Sequence, residues 1–566
     1  MSPGSTTSFM KARIENMEFR TQFGQDVFNN KYSHDGTMTY NQLAKVLVEE
    51  VTAADMPMDE VKQLTEYVTD MKFVPGGRYL YYAGRDLHAY NNCFLLKAEE
   101  DTREDWAELS KKVELCLTTG GGIGVDYTTY RPRGTRLSRT GGTASGSVSK
   151  MRMIDSMGTE IMQGGSRRSA IYASLNHAHG DIDEFMVSKN WMDMPVAGTG
   201  SSMFDVKMID FNFKCPLDMT NISVNYDTKW LENYWATGDV GNVFKKNVEQ
   251  ALSTAEPGFS FNFFNKEKET LRNACTEVTS EDDSDVCNLG SINMANINSI
   301  SEFKDVVTLA TKFLLCGTKY ADLPYDKIGK IREKNRRLGL GIMGLHEWLL
   351  KRKYGYEMVP ELHRWLTVYR DVSDHTSRNF ADTLGISRPV ANRSIAPTGT
   401  IGILAGTTTG IEPLFSVAYK RRYLKGGTKW VYQYVIDGTA KTLIKEYDLK
   451  PEEIETSLSL AEDYEKRIKF QANVQEYVDM AISSTINLPK WGSKLNNPDT
   501  VEKFTKVLAD YAHRLRGFTC YPDGARGGQP LTVVSYEDAM KHEGKEFEEM
   551  THDICDITQR GGSCGV

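Results

Sequence analysis

The chain has 566 residues, 40% of them hydrophobic and 25% charged, ordinary values for a folded globular protein that exclude disorder as its main state. Its 68 basic and 76 acidic residues leave a formal charge of −8, which argues against a general nucleic-acid binder. No run of about 18 apolar residues occurs, so no membrane span is expected. The first twenty residues are polar and do not read as a secretory signal. Nine cysteines, odd in number and thinly spread, read as thiols in a reducing cytoplasm rather than as a disulfide scaffold.

Residues 1–75 read as a helical region. Phe28, Leu43, Val46, Leu47 and Val51 fit one helix face, and a further helix is predicted over about 58–71. Residues 76–535 mix glycine-rich turns, short β-branched runs and amphipathic stretches, the texture of an α/β protein. The clearest predicted helices there are 303–320, 336–352, 360–384 and 468–484. Residues 536–566 read as a solvated helix followed by a flexible tail ending Arg560-Gly-Gly-Ser-Cys-Gly-Val566.

Two suggestive strings fail as motifs. Thr118-Thr-Gly-Gly-Gly-Ile-Gly124 lacks both the dinucleotide spacing and a following Gly-Lys-Ser/Thr. His177-Ala-His-Gly-Asp-Ile-Asp183 suits a polar turn into a helix at least as well as a metal site. No C-x-x-C pair exists, and no metal site is predicted.

The chemistry concentrates in Asn273-Ala-Cys-Thr-Glu277 and in Cys287. Strand-like spacing places Asn273, Cys275 and Glu277 on one side. An amide can hold a substrate hydroxyl and a carboxylate can take its proton. A thiolate nucleophile wants a basic neighbour, which Glu277 is not. A neutral thiol that loses a hydrogen atom has no such need. By itself the motif could equally be a half-buried strand with a chance cysteine.

The motif does not stand alone. In order along the chain, Asn91-Asn92-Cys93, Gly141–Gly146, Gly164–Ala170, the 273/275/277 triplet, Cys287, Asn335–Gly344, Ala396-Pro397-Thr398-Gly399-Thr400-Ile401, Ser484–Pro489 and Tyr521–Arg526 resemble the catalytic subunit of ribonucleotide reductase. The likeness covers about residues 75–530 and the tail. It implies a ten-stranded α/β barrel with a central finger loop, two halves of parallel strands joined antiparallel, and Asn335–Gly344 as a helix. The implied reaction turns ribonucleotides into deoxyribonucleotides for DNA synthesis. Cys275 becomes the thiyl radical, Glu277 the general base and Asn273 its orienting amide. Cys93 and Cys287 deliver the reducing equivalents. Cys555 and Cys564 in the tail re-reduce them and accept electrons from thioredoxin or a similar dithiol. The family's tail pair is usually closer in sequence, so Cys564 is the better supported of the two. Asn92 and residues Pro397 to Ile401 would bind substrate. Asp101, Arg136, Arg167 and Arg168 would bind a deoxynucleotide or ATP specificity effector.

The radical source divides the family. Tyr521 stands where the subunit-dependent class has two adjacent tyrosines, and Pro522 replaces the second. The Tyr-Pro-Asp-Gly-Ala-Arg and Asn-Leu-Pro strings lean toward adenosylcobalamin as cofactor, in a compact, phage-type chain. The alternative is a radical supplied by a separate ferritin-like, metal-containing subunit, with Tyr521 as relay. A glycyl radical or a non-radical thiol–disulfide oxidoreductase is remote. The first 75 residues are too few for the family's regulatory ATP cone. A homodimer is expected from the family.

Overall fold

The computed structural model describes residues 19–91, 93–138, 140–161, 169–210, 213–425, 429–525 and 531–548. The chain enters through helices Gln22–Lys31, Tyr40–Thr52 and Met58–Thr69. Thr39 Oγ1 accepts from the Gln42 N–H while the Thr39 N–H donates to Gln42 Oε1, a reciprocal cap that starts the second of these helices. Phe28, Leu43, Leu47 and Val51 are buried as their periodicity predicts, whereas Val46 is half-buried beside a buried Val48. These side chains share one hydrophobic cluster with helices Ile300–Tyr320 and Pro360–Leu384. The N-terminal helices are thus packed into the main body.

The strands are β1 (Phe73–Pro75), β2 (Cys93–Leu96), β3 (Gly122–Asp126), β4 (Ile171–Asn176), β5 (Thr220–Tyr226), β6 (Gly258–Phe261), β7 (Leu271–Arg272), β8 (Thr279–Ser280), β9 (Asp285–Asn293), β10 (Leu338–Met343), β11 (Ala418–Lys425), β12 (Lys429–Ile436), β13 (Thr485–Leu488), β14 (Gly517–Pro522), β15 (Leu531–Val533) and β16 (Glu546–Glu548). Ten of them form one sheet in the order β1-β9-β2-β3-β4-β5-β6-β14-β13, with β10 also paired to β9. β2 through β6 run parallel. The pairs β9/β10 and β13/β14 are parallel as well, and the seams β2/β9 and β6/β14 are antiparallel.

The regular sheet is open, so the closed ten-stranded barrel is not formed by strand ladders alone. Between β10 and β13 lies segment 391–395, held by isolated bridges. Leu340 N–H donates to Asn392 O at 3.0 Å, and Ser394 N–H donates to Leu340 O at 3.2 Å. On the far side Ile395 N–H donates to Ala481 O at 3.2 Å and Ser483 N–H donates to Ile395 O at 2.8 Å. Pro389 and Pro397 flank the segment, and neither has the N–H that a longer ladder requires.

Alternation sorts the two faces of the parallel half. Ile123, Val125, Ile171, Ala173, Leu175, Ile222, Val224 and Tyr226 join a second hydrophobic cluster. Helices Arg103–Thr118, Ser147–Glu160, Gly241–Thr254 and Val501–Tyr511 contribute to that cluster. The intervening Gly124, Tyr172, Ser174, Ser223 and Asn225 fall on the opposite face, small or polar. A separate sheet, β15-β11-β12-β16, carries the last described residues with helix Tyr536–His542. Among the described residues, no helix is long and apolar enough to cross a membrane.

Two predicted helices are corrected. Residues 336–352, including the Asn335–Gly344 string, are strand β10 followed by the short helix Leu345–Lys351. A Cβ on Gly339 would lie 2.3 Å from Leu289 Cδ2 and 2.9 Å from Asn288 O, and one on Gly341 would lie 2.9 Å from Ser394 O. These glycines let β10 approach β9 and segment 391–395, a tertiary demand that helix periodicity cannot register. The helix predicted over 468–484 is Tyr464–Gln475, after which the chain turns toward β13. There the Gln475 side chain donates to Val478 O and Met480 O, satisfying carbonyls beyond the helix end.

The contact at Gly339 sets an expected outcome. Gly339→Ala should lower unfolding free energy by about 1–3 kcal/mol through overpacking against Leu289 and the β9 backbone. Urea titration measures it, and an unchanged midpoint would contradict the tight β9/β10 approach.

Candidate active site

The triplet lies on a hairpin. β7 and β8 pair antiparallel, Arg272 opposite Thr279, and residues 273–278 form the connecting tip. Asn273 Oδ1 accepts from the Val278 N–H at 3.0 Å and Asn273 O accepts from the Thr276 N–H at 3.0 Å. Thr276 takes a left-handed φ of 71° to close the turn. The expected strand is therefore a tight loop, and its side chains divide. Asn273 and Glu277 are buried at 1% exposure, while Cys275 is exposed at the tip. A turn that bonds its own backbone through Asn273 cannot keep alternate side chains on one face.

The loop is docked at several points. Ala481 N–H donates to Glu277 O at 2.8 Å, and Asn221 Nδ2 donates to Ala274 O at 3.4 Å. β3 passes beneath it. A Cβ on Gly124 would lie 1.6 Å from the carbonyl oxygen of Arg272, and one on Gly122 would lie 3.1 Å from Ala274 Cβ. The glycine run that failed as a nucleotide motif is thus a track for close backbone approach.

Cys93 and Cys287 meet across the β2/β9 seam. They are direct partners in the antiparallel register, both buried and both reduced. Directly opposed residues in such a pair have Cα atoms roughly 4.5–5.5 Å apart, within disulfide range. Asn273 Nδ2 donates to Cys93 Sγ at 3.0 Å, and Cys93 Sγ lies 3.9 Å from Glu277 Oε1. The fold therefore brings together Cys93, Cys287, Asn273 and Glu277, with Cys275 at the adjoining tip.

Burial governs the ionisation of this group. It raises Cys93 and Cys287 well above the usual thiol range, and the Glu277 carboxylate adds to the effect on both. Both thiols are neutral at physiological pH, poor as nucleophiles but able to give hydrogen. Burial also lifts Glu277 to about 7, opposed by hydrogen bonding at its own backbone and from Asn273. Glu277 Oε2 has no hydrogen-bond partner among the described residues.

In the 396–401 loop, Thr398 adopts φ 51° and precedes helix Gly399–Ala405. Its hydroxyl accepts from the Gly410 N–H at 2.8 Å rather than capping that helix. Pro397 and Gly399 are exposed, Thr400 is half-buried and Ile401 is buried. A Cβ on Gly399 would meet nothing within 4 Å. Tyr521 is half-buried on β14, opposite Asn487 of β13. Asp101 is engaged by Arg131 through side chain and backbone and by Trp106 Nε1 at 3.0 Å. Arg136 is exposed in a loop bridged to Thr143. The predicted residues Asn92, Arg167, Arg168, Cys555 and Cys564 lie outside the described residues.

The His177 string is a turn leading into helix Ile182–Val187. Asp181 accepts from the Arg133 and Ser147 N–H groups, both at 2.8 Å, and His179 Nε2 lies 2.7 Å from Tyr130 O. Among the described residues no cluster of three or more potential ligands could hold a metal ion. Sequence reasoning missed Arg272 at the base of the hairpin. Its side chain contacts Ser260, Asn262 and Arg516 O, partners too distant in sequence to leave a local signal.

These features define a class of protein only when joined to the chain's relationships. Residues 91–196, 225–367 and 388–521, well over half the chain, match the family described as ribonucleotide reductase, barrel domain. The chain belongs to that family and is an enzyme of ribonucleotide reduction. It is 27% identical over 530 residues to a vitamin B12-dependent ribonucleoside-diphosphate reductase of Mycobacterium tuberculosis, covering 84% of this chain and 72% of the relative. A relative of the same name from Thermoplasma acidophilum is 27% identical over 538 residues, covering 87% of this chain and 68% of the relative. A Mycobacterium phage D29 protein named as an adenosylcobalamin-dependent ribonucleoside-triphosphate reductase is 25% identical over 516 residues, covering 78% and 72%.

The weakened acidity of Glu277 has a thermodynamic consequence. The folded state holds its proton up to about pH 7, whereas the unfolded chain releases it near 4.5. Stability from this group is therefore full below pH 4.5 and is lost as pH rises through 7. Glu277→Gln mimics the neutral acid at every pH. Its stability advantage over the parent should grow across that window to about 3 kcal/mol, read by denaturant titrations from pH 4.5 to 8. A gap that does not widen with pH would refute the buried-acid assignment.

Proposed function

We propose that the chain reduces ribonucleotides by a thiyl-radical mechanism centred on Cys275. The observation that carries this reading is the grouping of Asn273, Glu277 and the opposed Cys93/Cys287 thiols beside the exposed Cys275. Cys275, as thiyl, takes the 3′ hydrogen of the ribose. Glu277 takes the proton of the 3′ hydroxyl, with Asn273 holding the geometry. The 2′ hydroxyl leaves as water. Cys93 and Cys287 supply the proton that leaves with the 2′ hydroxyl as water, a hydrogen atom to C2′ and one further electron to the 3′ keto group, and end as a disulfide, which their cross-strand register favours. Glu277 returns its proton to the 3′ oxygen, and Cys275 returns its hydrogen to C3′ and is again the thiyl. Cys564, with Cys555, returns the pair to dithiol by exchange with thioredoxin or a similar reductant.

Residues 391–395 serve in this reading as the strand that closes the sheet into a ten-stranded barrel, since their bridges reach β10 on one side and the approach to β13 on the other. Residues 76–535 form that catalytic unit, with 1–75 as a helical flank and 536–566 as helix and redox tail. The substrate phosphates sit at Pro397 to Ile401, where Gly399 opens onto free space and the helix start lacks a side-chain cap. Asn92 is a further substrate-binding residue in this reading. Asp101, Arg136, Arg167 and Arg168 take the specificity effector. The enzyme works in the cytoplasm, as a homodimer.

The names of the relatives favour adenosylcobalamin as the radical source. Exposure of Cys275 between two buried polar neighbours fits a cofactor approaching from outside. What it supplies when bound is a radical equivalent to the Cys275 thiol. Tyr521 is then a packing residue rather than a relay to a ferritin-like partner.

Turnover of ribonucleotide with a dithiol and adenosylcobalamin alone tests the reading. Cys275→Ser should fall to background while binding substrate with nearly unchanged affinity, because an O–H bond is too strong to shuttle hydrogen. Tyr521→Phe should keep most activity. A chain inert to adenosylcobalamin but switched on by a ferritin-like subunit would overturn the cofactor assignment. As a general base Glu277 must be ionised, so kcat/KM should rise with pH and level off above about 7. A pH-independent profile between 5.5 and 8 would remove it from that role.

A further inference from the structure

Arg272 immediately precedes Asn273 and is fully buried. Its guanidinium reaches from the hairpin to the end of β6 and the residue before β14. Nε donates to Ser260 Oγ at 3.2 Å, and Nη2 donates to Asn262 Oδ1 at 2.8 Å and to Arg516 O at 2.7 Å. These partners lie on or beside β6 and at the entry to β14, the antiparallel seam opposite the one holding Cys93 and Cys287. Among the described residues no carboxylate accepts a hydrogen bond from this guanidinium. The nearby Glu269 pairs instead with Arg516 at 3.1 Å.

The backbone of the same residue is held from the other direction. The Arg272 carbonyl occupies the space that a side chain on Gly124 of β3 would fill, 1.6 Å from the ideal Cβ position. β3 and the β6/β14 seam therefore grip one residue by its main chain and its side chain. A buried cation with only neutral acceptors is costly to desolvate, and packing alone would be served by an apolar side chain of the same length. The planar fork contributes direction: several fixed donors aimed at groups on rigid strands.

We infer that Arg272 is a positioning residue, clamping the base of the hairpin so that Cys275 is held at reacting distance from the ribose. The inference rests on the proposed role of Cys275 as the hydrogen-abstracting thiyl. The clamp contributes no proton and no electron. It sets a height, and geometry alone is worth much in such a step, since a displacement of about 1 Å can cost about 100-fold in rate.

The test uses the full chain with its radical source, dithiol and ribonucleotide carrying either hydrogen or deuterium at C3′. Arg272→Met should lower kcat about 100-fold and leave KM within threefold, because the phosphate loop is untouched. It should also enlarge the deuterium effect on kcat relative to the parent, since hydrogen transfer from C3′ becomes the slow step. Arg272→Lys, which keeps charge but loses the fork, should fall between the two. A merely structural role would lower the active fraction with the isotope effect unchanged, and that result would overturn the inference, as would unchanged kcat. If Arg272→Met does not fold, Asn262→Ala removes a single acceptor of the clamp. It should show the same enlarged isotope effect with a smaller loss of rate, and its absence there would equally overturn the inference. Failure of the underlying reading is distinguishable: Cys275→Ser would then turn over normally, and the parent would show no deuterium effect even in a single turnover.

Discussion

The carbonyl of Arg272 occupies the place where Gly124 would otherwise carry a side chain, and the geometry of the site follows from that close approach. With even one methyl group at position 124 the hairpin 271–280 would have to lift off β3. Lifting it would break the Glu277 O contact to Ala481 and the Asn273 contact to Cys93. Hairpin, β2/β9 seam and segment 480–483 are therefore mutually dependent. Each is short, and none has enough local hydrogen bonding to hold its position alone.

The same crowding sets the electrostatics. A hairpin pressed against the sheet excludes water from Glu277, Cys93 and Cys287, and burial is the largest influence on each of them. Neutral thiols and a carboxyl poised near neutrality suit hydrogen-atom and proton transfer better than nucleophilic attack. Cys275 escapes that environment because the turn carries it to the exposed tip. The burial of the Cys93/Cys287 pair also gives the proposed exchange with a tail cysteine a physical requirement: the tail thiol must enter the site to meet them.

The large body around the site serves to hold it rigid. Two hydrophobic clusters, one under the N-terminal helices and Ile300–Tyr320 and one under the helices flanking β2 to β6, back the two parts of the sheet. Their strands place apolar residues outward and small or polar residues toward the hairpin. The interior is consequently polar and crowded, and Arg272, Arg516 and Glu269 settle there through hydrogen bonds and the ion pairs of Glu269 with Arg516 and Lys266.

The family was legible in the amino-acid string, because its reaction demands particular residue types. An amide, a thiol and a carboxylate at 273, 275 and 277, with cysteines at 93 and 287, are restrictive enough to point to a family without coordinates. The α/β texture and the helices near 303–320 and 360–384 were legible for a similar reason, since local periodicity reports an apolar face directly. The glycine-rich stretches were not. Gly339 and Gly341 sit in a strand because β9 and Ser394 lie too close for side chains, and the run ending at Gly124 is small because the hairpin crosses it. Nor did the spacing of the triplet reveal a turn that exposes Cys275 and buries its neighbours. Arg272 carried no signal, since its partners at 260, 262 and 516 are brought to it only by folding. The amino-acid string by itself determined the family and the residue types gathered at 93, 273, 275, 277 and 287. Tertiary structure alone decided how near they lie and how dry they are, because close backbone approach and burial arise between segments far apart in the chain.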